Sequence, residues 1–189
     1  GVPVSPADEA ALKSLATLLD RALDAYRQRE VWRLVVQTHD DVDRSLALLE
    51  KLVNQNSGSL NLEGVEKVGA MMRAELEPLG FTVTWKPMRE TGRAGHLIAT
   101  HKGKRDGKRL LLIAHLDTVF DEDTPIKVQR EGERLMAPGI GDDSLGLASI
   151  LAWVRIMEAN RTVTRQPILF VGTVGEEGAG DLRGVRHLF

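Results

Sequence analysis

The chain contains no cysteine, which excludes disulfides and every thiolate metal site but leaves reducing and oxidising compartments equally open. Neither sign of charge predominates: 25 basic residues stand against 27 acidic ones, for a net charge of -2, and the basic ones are scattered. That leaves no electrostatic footprint for nucleic acid or an anionic membrane surface, and it favours small-molecule or peptide partners. No apolar stretch approaches the roughly 20 residues of a membrane-spanning helix. The first residues, Gly1-Val2-Pro3-Val4-Ser5-Pro6, lack a methionine, a basic n-region and an apolar h-region, as after removal of a presequence or addition of residues in expression. There is no internal repeat and no low-complexity segment. What is present suffices for one sizeable core: 189 residues, 42% hydrophobic and 28% charged.

Hydrophobic spacing supplies the elements. Ser5-Pro6-Ala7-Asp8 reads as an N-cap and first turn, with Leu12, Leu15, Leu18, Leu19 and Leu23 following at helical period. This predicts a helical extension over about 1–40, broken near Glu30. A second helix is predicted from Asp41 to Val53, with Leu46, Leu49 and Leu52 or Val53 inward, ending in the polar loop Asn54–Ser59. A third begins at the cap Asn61, buries Val65, Val68, Met72 and Leu76, and closes at Gly80. From Phe81 the period changes to two, so Phe81, Val83 and Trp85 mark a half-buried strand. His96–Thr100 and Arg109–Ala114 read as two more strands, joined as a hairpin through the charged turn HKGKRDGK. IKVQREGERLMA is another hairpin, and Leu145–Met157 is a helix with Leu147, Ile150, Leu151 and Val154 inward. PILFVGTV is a strand of the kind buried on both faces, and a last helix opens near Asp181. The fold class expected is α/β: a mixed, mainly parallel sheet flanked by helices over 41–189, preceded by the helical extension 1–40.

Polar groups gather where strands end, the positions at which α/β sheets admit ligands. The apolar, buried run LLIA stops at His115-Leu116-Asp117, PGIGDDSLG precedes a helix, and GTVGEEGAGDLRG follows the last strand. Singly, each has an ordinary reading: a satisfied histidine, an Asp142-Asp143 helix cap, an exposed Glu176-Glu177 turn. Together they offer an imidazole and two acidic pairs, donors that zinc accepts, and the carboxylates would repel one another without a cation. Asp117, two residues past His115 on the same side of an extended segment, is placed to hold the ring's free nitrogen.

AHLDTV, APGIGDDSLG and GTVGEEG, in this order and separation, resemble the motifs of the co-catalytic dizinc exopeptidases and deacylases: glutamate carboxypeptidases, aminoacylases, acetylornithine deacetylase and tripeptide aminopeptidases. LVNQNSGSLNLEGV resembles the glutamate-carboxypeptidase branch, and the likeness spans about Val42 to Phe189. The resemblance implies a zinc exopeptidase-like catalytic domain, of which these residues are the N-terminal part. It implies two zinc ions, with cobalt or manganese as substitutes, held by His115, Asp142 as the bridge and Glu177. Asp117 would orient His115, and Glu176 would be the general base for a water between the ions. It further implies a cis peptide between Asp142 and Asp143, hydrolysis of a peptide or N-acyl amino acid, and dimerisation through a domain not present in these residues. Ser144 and Leu145 replace the lysine and glycine common in relatives, so neither receives a role. The family's later carboxylate and histidine ligands are not matched here, so this chain alone is expected to bind metal weakly and not to turn over substrate. The likeness and the processed-looking start favour a periplasmic or secreted location.

Two other classes compete. A metal-free binding or scaffold domain would keep the sheet without the chemistry. Nucleotide binding at GEEGAGDLRG fails on detail, because Arg183 stands where the dinucleotide fingerprint needs glycine and the glutamates would repel phosphate.

Overall fold

The structure is a computed structural model that describes Arg21 and residues 41–189. The chain divides into two compact units, 1–40 and 41–189. The helices expected before residue 40 lie outside the described residues.

Within the second unit the elements follow chain order. Helix α1 spans 41–54, α2 Leu62–Leu76, and strands β1 Thr82–Pro87, β2 Gly95–His101 and β3 Leu110–His115 come next. The small hairpin β4 Gln129–Glu131 and β5 Arg134–Met136 precedes α3 Leu145–Ala159, β6 Ile168–Thr173 and α4 Arg183–Leu188. The caps form as the sequence indicates. The Asn61 side chain accepts from the Gly64 amide at 2.9 Å, and Gly80, at φ 82, ends the short 3-10 turn after α2 in a conformation that glycine adopts without steric cost. Val65, Met72 and Leu76 on α2 are fully buried and meet Leu48, Leu49, Leu52 and Val53 of α1, together with Leu147 and Leu151 of α3, in one core. No helix among the described residues is long and apolar enough to cross a membrane.

The main sheet has the order β1-β2-β6-β3, which corrects two expectations. The sheet is mixed, as expected, but it is not mainly parallel: β1/β2 and β2/β6 are antiparallel and only β3/β6 is parallel. The short 88–94 connection forces β1 and β2 into opposite directions, whereas β3 and β6 are joined through α3 and run together. Nor do β2 and β3 form the hairpin expected across HKGKRDGK, because β6 lies between them. Ile168, Phe170 and Val171 of β6 are buried, and so apolar a strand is most stable at the sheet centre, flanked on both sides. A consequence falls on β3. Expected to be buried, it lies at the sheet edge, with Leu110, Leu111 and Ile113 exposed at 47%, 44% and 44%, while Ala114 and His115 at its tip are buried.

The segment after α1 is tied to the site. Gly58 bridges Thr118 in parallel fashion, Thr118 donates to the Ser57 carbonyl at 2.9 Å, and Ser59 donates to the Thr118 carbonyl at 2.9 Å. A methyl group at 58 would run into the Phe120 carbonyl oxygen, and main chain cannot rotate away as a side chain can. Gly58→Ala is therefore expected to destabilise the unit by about 1–3 kcal/mol, measured by urea unfolding; an unchanged midpoint would show that this pairing is slack.

Candidate metal centre

Chain direction alone brings the three polar groups together. β3 and β6 are parallel, with His115 opposite Thr173, so the loops leaving them emerge side by side. The helix that returns from β3 to β6 must start at that same end, which places the turn Ile140–Ser144 and the N-terminus of α3 above the same two strand tips.

One ligand atom from each of His115, Asp142 and Glu177 lies within 4.8 Å of the others. His115 Nε2 is 2.8 Å from Asp142 Oδ1 and 3.8 Å from Glu177 Oε1. The His115 ring is buried, Glu177 is half-buried and the Asp142 side chain is 73% exposed, so the group has one solvent-facing side. Burial opposes a charge on the imidazole, but hydrogen bonds to Asp117 and Asp142 outweigh it and hold the His115 pKa up at about 10. Burial, and then the Asp142 carboxylate, push the Glu177 carboxyl upward. An imidazole nitrogen and two carboxylates so close together, drawn from three separate loops, fit a divalent cation.

The remaining expected residues take distinct places. Asp117 is buried beside His115, but its main-chain carbonyl, not its carboxylate, lies at 2.8 Å from Nδ1; Oδ1 stands 3.6 Å away without another partner. Its other oxygen accepts from Ser59 Oγ at 2.5 Å and from the Gly175 amide at 2.7 Å. Asp117 thus ties three segments together beside the ring, and its carbonyl lies against Nδ1. Asp143 is a structural brace: Oδ2 accepts from the His115 amide at 3.2 Å, and the Gly146 amide also bonds this carboxylate at the start of α3. The peptide between Asp142 and Asp143 is cis. Glu176 lines a recess with His115, Asp142, Asp143 and Thr173, whereas Glu177 opens also into a second recess lined by Ser59, Arg93 and Thr118. Adjacent side chains point apart because the backbone at Glu177 is extended, φ -89 and ψ 159.

Sequence reading missed Ser59 and Arg93. The signal for Ser59 was in NQNSGSLN, quoted for its likeness alone; nothing local marked Arg93, which sits on the loop between β1 and β2.

A mixed sheet layered by helices, with nitrogen and oxygen donors converging over parallel strand tips, defines the class: a zinc exopeptidase-like fold. Residues 111–189 match the model of peptidase family M20/M25/M40. The chain is 37% identical over 123 residues to carboxypeptidase G2 of Pseudomonas sp. (strain RS-16), covering 63% of this chain and 29% of that protein. Among solved structures, aminopeptidase PepT from Bacillus cereus ATCC 10987 superposes with a TM-score of 0.62 at 25% identity, over 78% of this chain and 39% of that one. Human carnosine dipeptidase 1 shares the fold, with a TM-score of 0.66 at 17% identity over 82% and 36%. Over residues 111–189 the chain is thus similar to the peptidases of that family, and it spans less than a third of the curated relative it matches.

Proposed function

We propose that the protein to which this chain belongs hydrolyses the amide bond of a peptide or N-acyl amino acid, carboxypeptidase-like, and that His115, Asp142 and Glu177 would hold its zinc. The observation that supports it most is the convergence of those three donors within 4.8 Å from three separate loops. Bound there, the metal supplies Lewis acidity toward a carbonyl oxygen and lowers the pKa of a water. The chain's own residues do the rest. Asp117 and Ser59 hold the His115 ring still, Asp143 fixes the strand tip to α3, and Glu176 takes the proton from the attacking water and delivers it to the leaving nitrogen. The carboxypeptidase preference follows from the carboxypeptidase G2 likeness. A metal-free scaffold is disfavoured, since it would leave these acidic groups crowded without purpose.

Zinc titration of this chain against a chromophoric chelator tests the donor set. A ligand imidazole must be neutral, and His115 has its pKa raised to about 10, so metal uptake displaces its proton. The apparent affinity is expected to rise about tenfold per pH unit between about pH 6 and 9, and to fall sharply on His115→Ala. Affinity indifferent to pH, or to the loss of His115, would remove this residue from the ligand set.

A further inference from the structure

Two histidines outside the donor set are used by nothing above. His96, at the start of β2, is fully buried, and His187, on α4, is half-buried. His96 Nε2 lies 3.2 Å from His187 Nδ1, with the rings stacked and their centroids 5.3 Å apart. His96 Nδ1 shares a second hydrogen bond with Thr173 Oγ1 at the tip of β6, at 3.2 Å. The pair therefore pins α4 to two strands. A contact between ring nitrogens needs one proton and one lone pair, so it survives while either ring is neutral and is lost when both are charged. The groups around the pair favour a neutral His96. Glu90, from the β1–β2 loop, stands 3.6 Å from His187 Nε2, and Lys86 of β1 donates to the His187 carbonyl at 3.5 Å. His96 has no carboxylate at ion-pair distance among the described residues. Burial, then His187 and Lys86, press its pKa down to about 4, while Asp117 pulls the other way. Helix α4 in turn holds the glutamates. The Leu182 amide donates to the Glu176 carbonyl at 3.2 Å and the Arg183 amide to the Gly175 carbonyl at 3.1 Å. At Gly184 the helix lies so close to β6 that a Cβ would run into the Val174 carbonyl and the Thr173 hydroxyl. Leu182, at φ 53, takes a left-handed conformation that a residue with a Cβ disfavours, so the contacts of α4 must offset that cost.

We propose that the His96–His187 pair is a proton-operated latch: closed while His96 is neutral, it holds α4 on the sheet and through α4 the main chain of Glu176 and Glu177, and it opens, slackening the glutamate turn, when both rings are charged. The latch rests on these contacts alone; only its consequence for catalysis rests on the amide-hydrolase reading. His96 is then a positioning residue, acting on Glu176 and Glu177 through α4. The sign follows from the two forms of His96. Unlatched, it takes up a proton at the ordinary histidine value of 6.5, and latched at about 4, so protons favour the open form between those values. Closure has its full strength above about pH 6.5 and weakens about tenfold for each unit below it, down to about pH 4.

The test is amide hydrogen exchange of the 15N-labelled chain, followed by nuclear magnetic resonance with a chelator present, so that its result does not depend on the metal reading. Protection of the Leu182 and Arg183 amides, corrected for the intrinsic rate, is measured from about pH 7.5 to 5. It is expected to stay level above about pH 6.5 and to fall about tenfold per unit below, while protection in β6 holds. His96→Gln keeps a donor near the place of Nε2 and cannot be charged, so its protection is expected to stay level throughout. Level protection in the wild type, an equal fall in β6, or the same fall in His96→Gln would overturn the proposal. Should His96→Gln fail to fold, the wild-type ring nitrogen signals decide. A His96 that stays neutral down to about pH 5 supports the latch, and one that becomes charged near pH 6.5 with α4 still protected overturns it.

Discussion

Glu176→Gln in the complete protein is expected to lower turnover by about 10²- to 10⁴-fold while leaving its metal content unchanged. The geometry separates this residue from its neighbour. Glu177 contributes an atom to the donor set, with Oε1 3.8 Å from His115 Nε2, and Glu176 does not. Glu176 instead lines the recess beside His115 and Asp142, and its carboxylate has no hydrogen-bond partner among the described residues, so its lone pairs are free for a proton. Glutamine keeps the shape and removes the basicity. Glu177→Gln is expected to do the reverse, weakening metal binding first and losing activity as a consequence. Metal analysis beside steady-state kinetics on both variants separates the roles. If Glu176→Gln loses metal in step with activity, it is a ligand and the assignments of the two glutamates change places. If it keeps activity to within about tenfold, the general-base role is wrong.

The parts of the site that were legible in the sequence are those set by local pattern. An apolar run ending in His115 announces a strand tip, and an acidic pair ahead of a helical repeat announces a helix start; where they meet follows from the rule that βαβ units place loops of one kind at one end. The pairing order was not legible, because β2 and β3 are close in sequence with a hairpin-like turn between them, and only the competition of β6 for the centre separates them. The exposure of β3 was missed for the same reason: Leu111 and Ile113 are as apolar as residues of a central strand, and their environment depends on what flanks them. Asp143 shows the limit from the other side. Two adjacent aspartates look alike on paper, yet one faces His115 Nε2 and the other its main-chain amide, a division made by backbone geometry that no composition records. Buried arginines are the hardest class. No local pattern in the sequence marks Arg93 or Arg155 as interior, and each is more than nine-tenths buried.

Arg155→Ala is expected to destabilise the 41–189 unit by about 3–5 kcal/mol, read from urea unfolding at neutral pH. The side chain leaves the inner face of α3 one residue after Val154 and enters a cluster shared by three helices. Its Nε donates to Asp41 Oδ1 at 2.7 Å and its Nη2 to Asp41 Oδ2 at 2.9 Å, a two-pronged pair, with further contacts to Ser45 Oγ at 2.7 Å and Glu75 Oε2 at 3.5 Å. Arg44 reaches the same Glu75 oxygen at 2.9 Å, so α1, α2 and α3 are joined by one network. Its members differ in exposure. Arg155 is 5% exposed and Asp41 15%, so water screens this pair far less than the outer Arg44–Glu75 contact, whose arginine is 60% exposed and whose loss should cost no more than about 1 kcal/mol. Removal of Arg155 alone strands a carboxylate in a low-dielectric pocket; removal of both partners does not. The double variant Asp41→Leu, Arg155→Met is therefore expected to recover much of the loss, as apolar side chains replace a pair whose desolvation cost offsets most of its attraction. A double variant no more stable than Arg155→Ala would show that the pair itself, and not the avoidance of a lone buried charge, holds the three helices together.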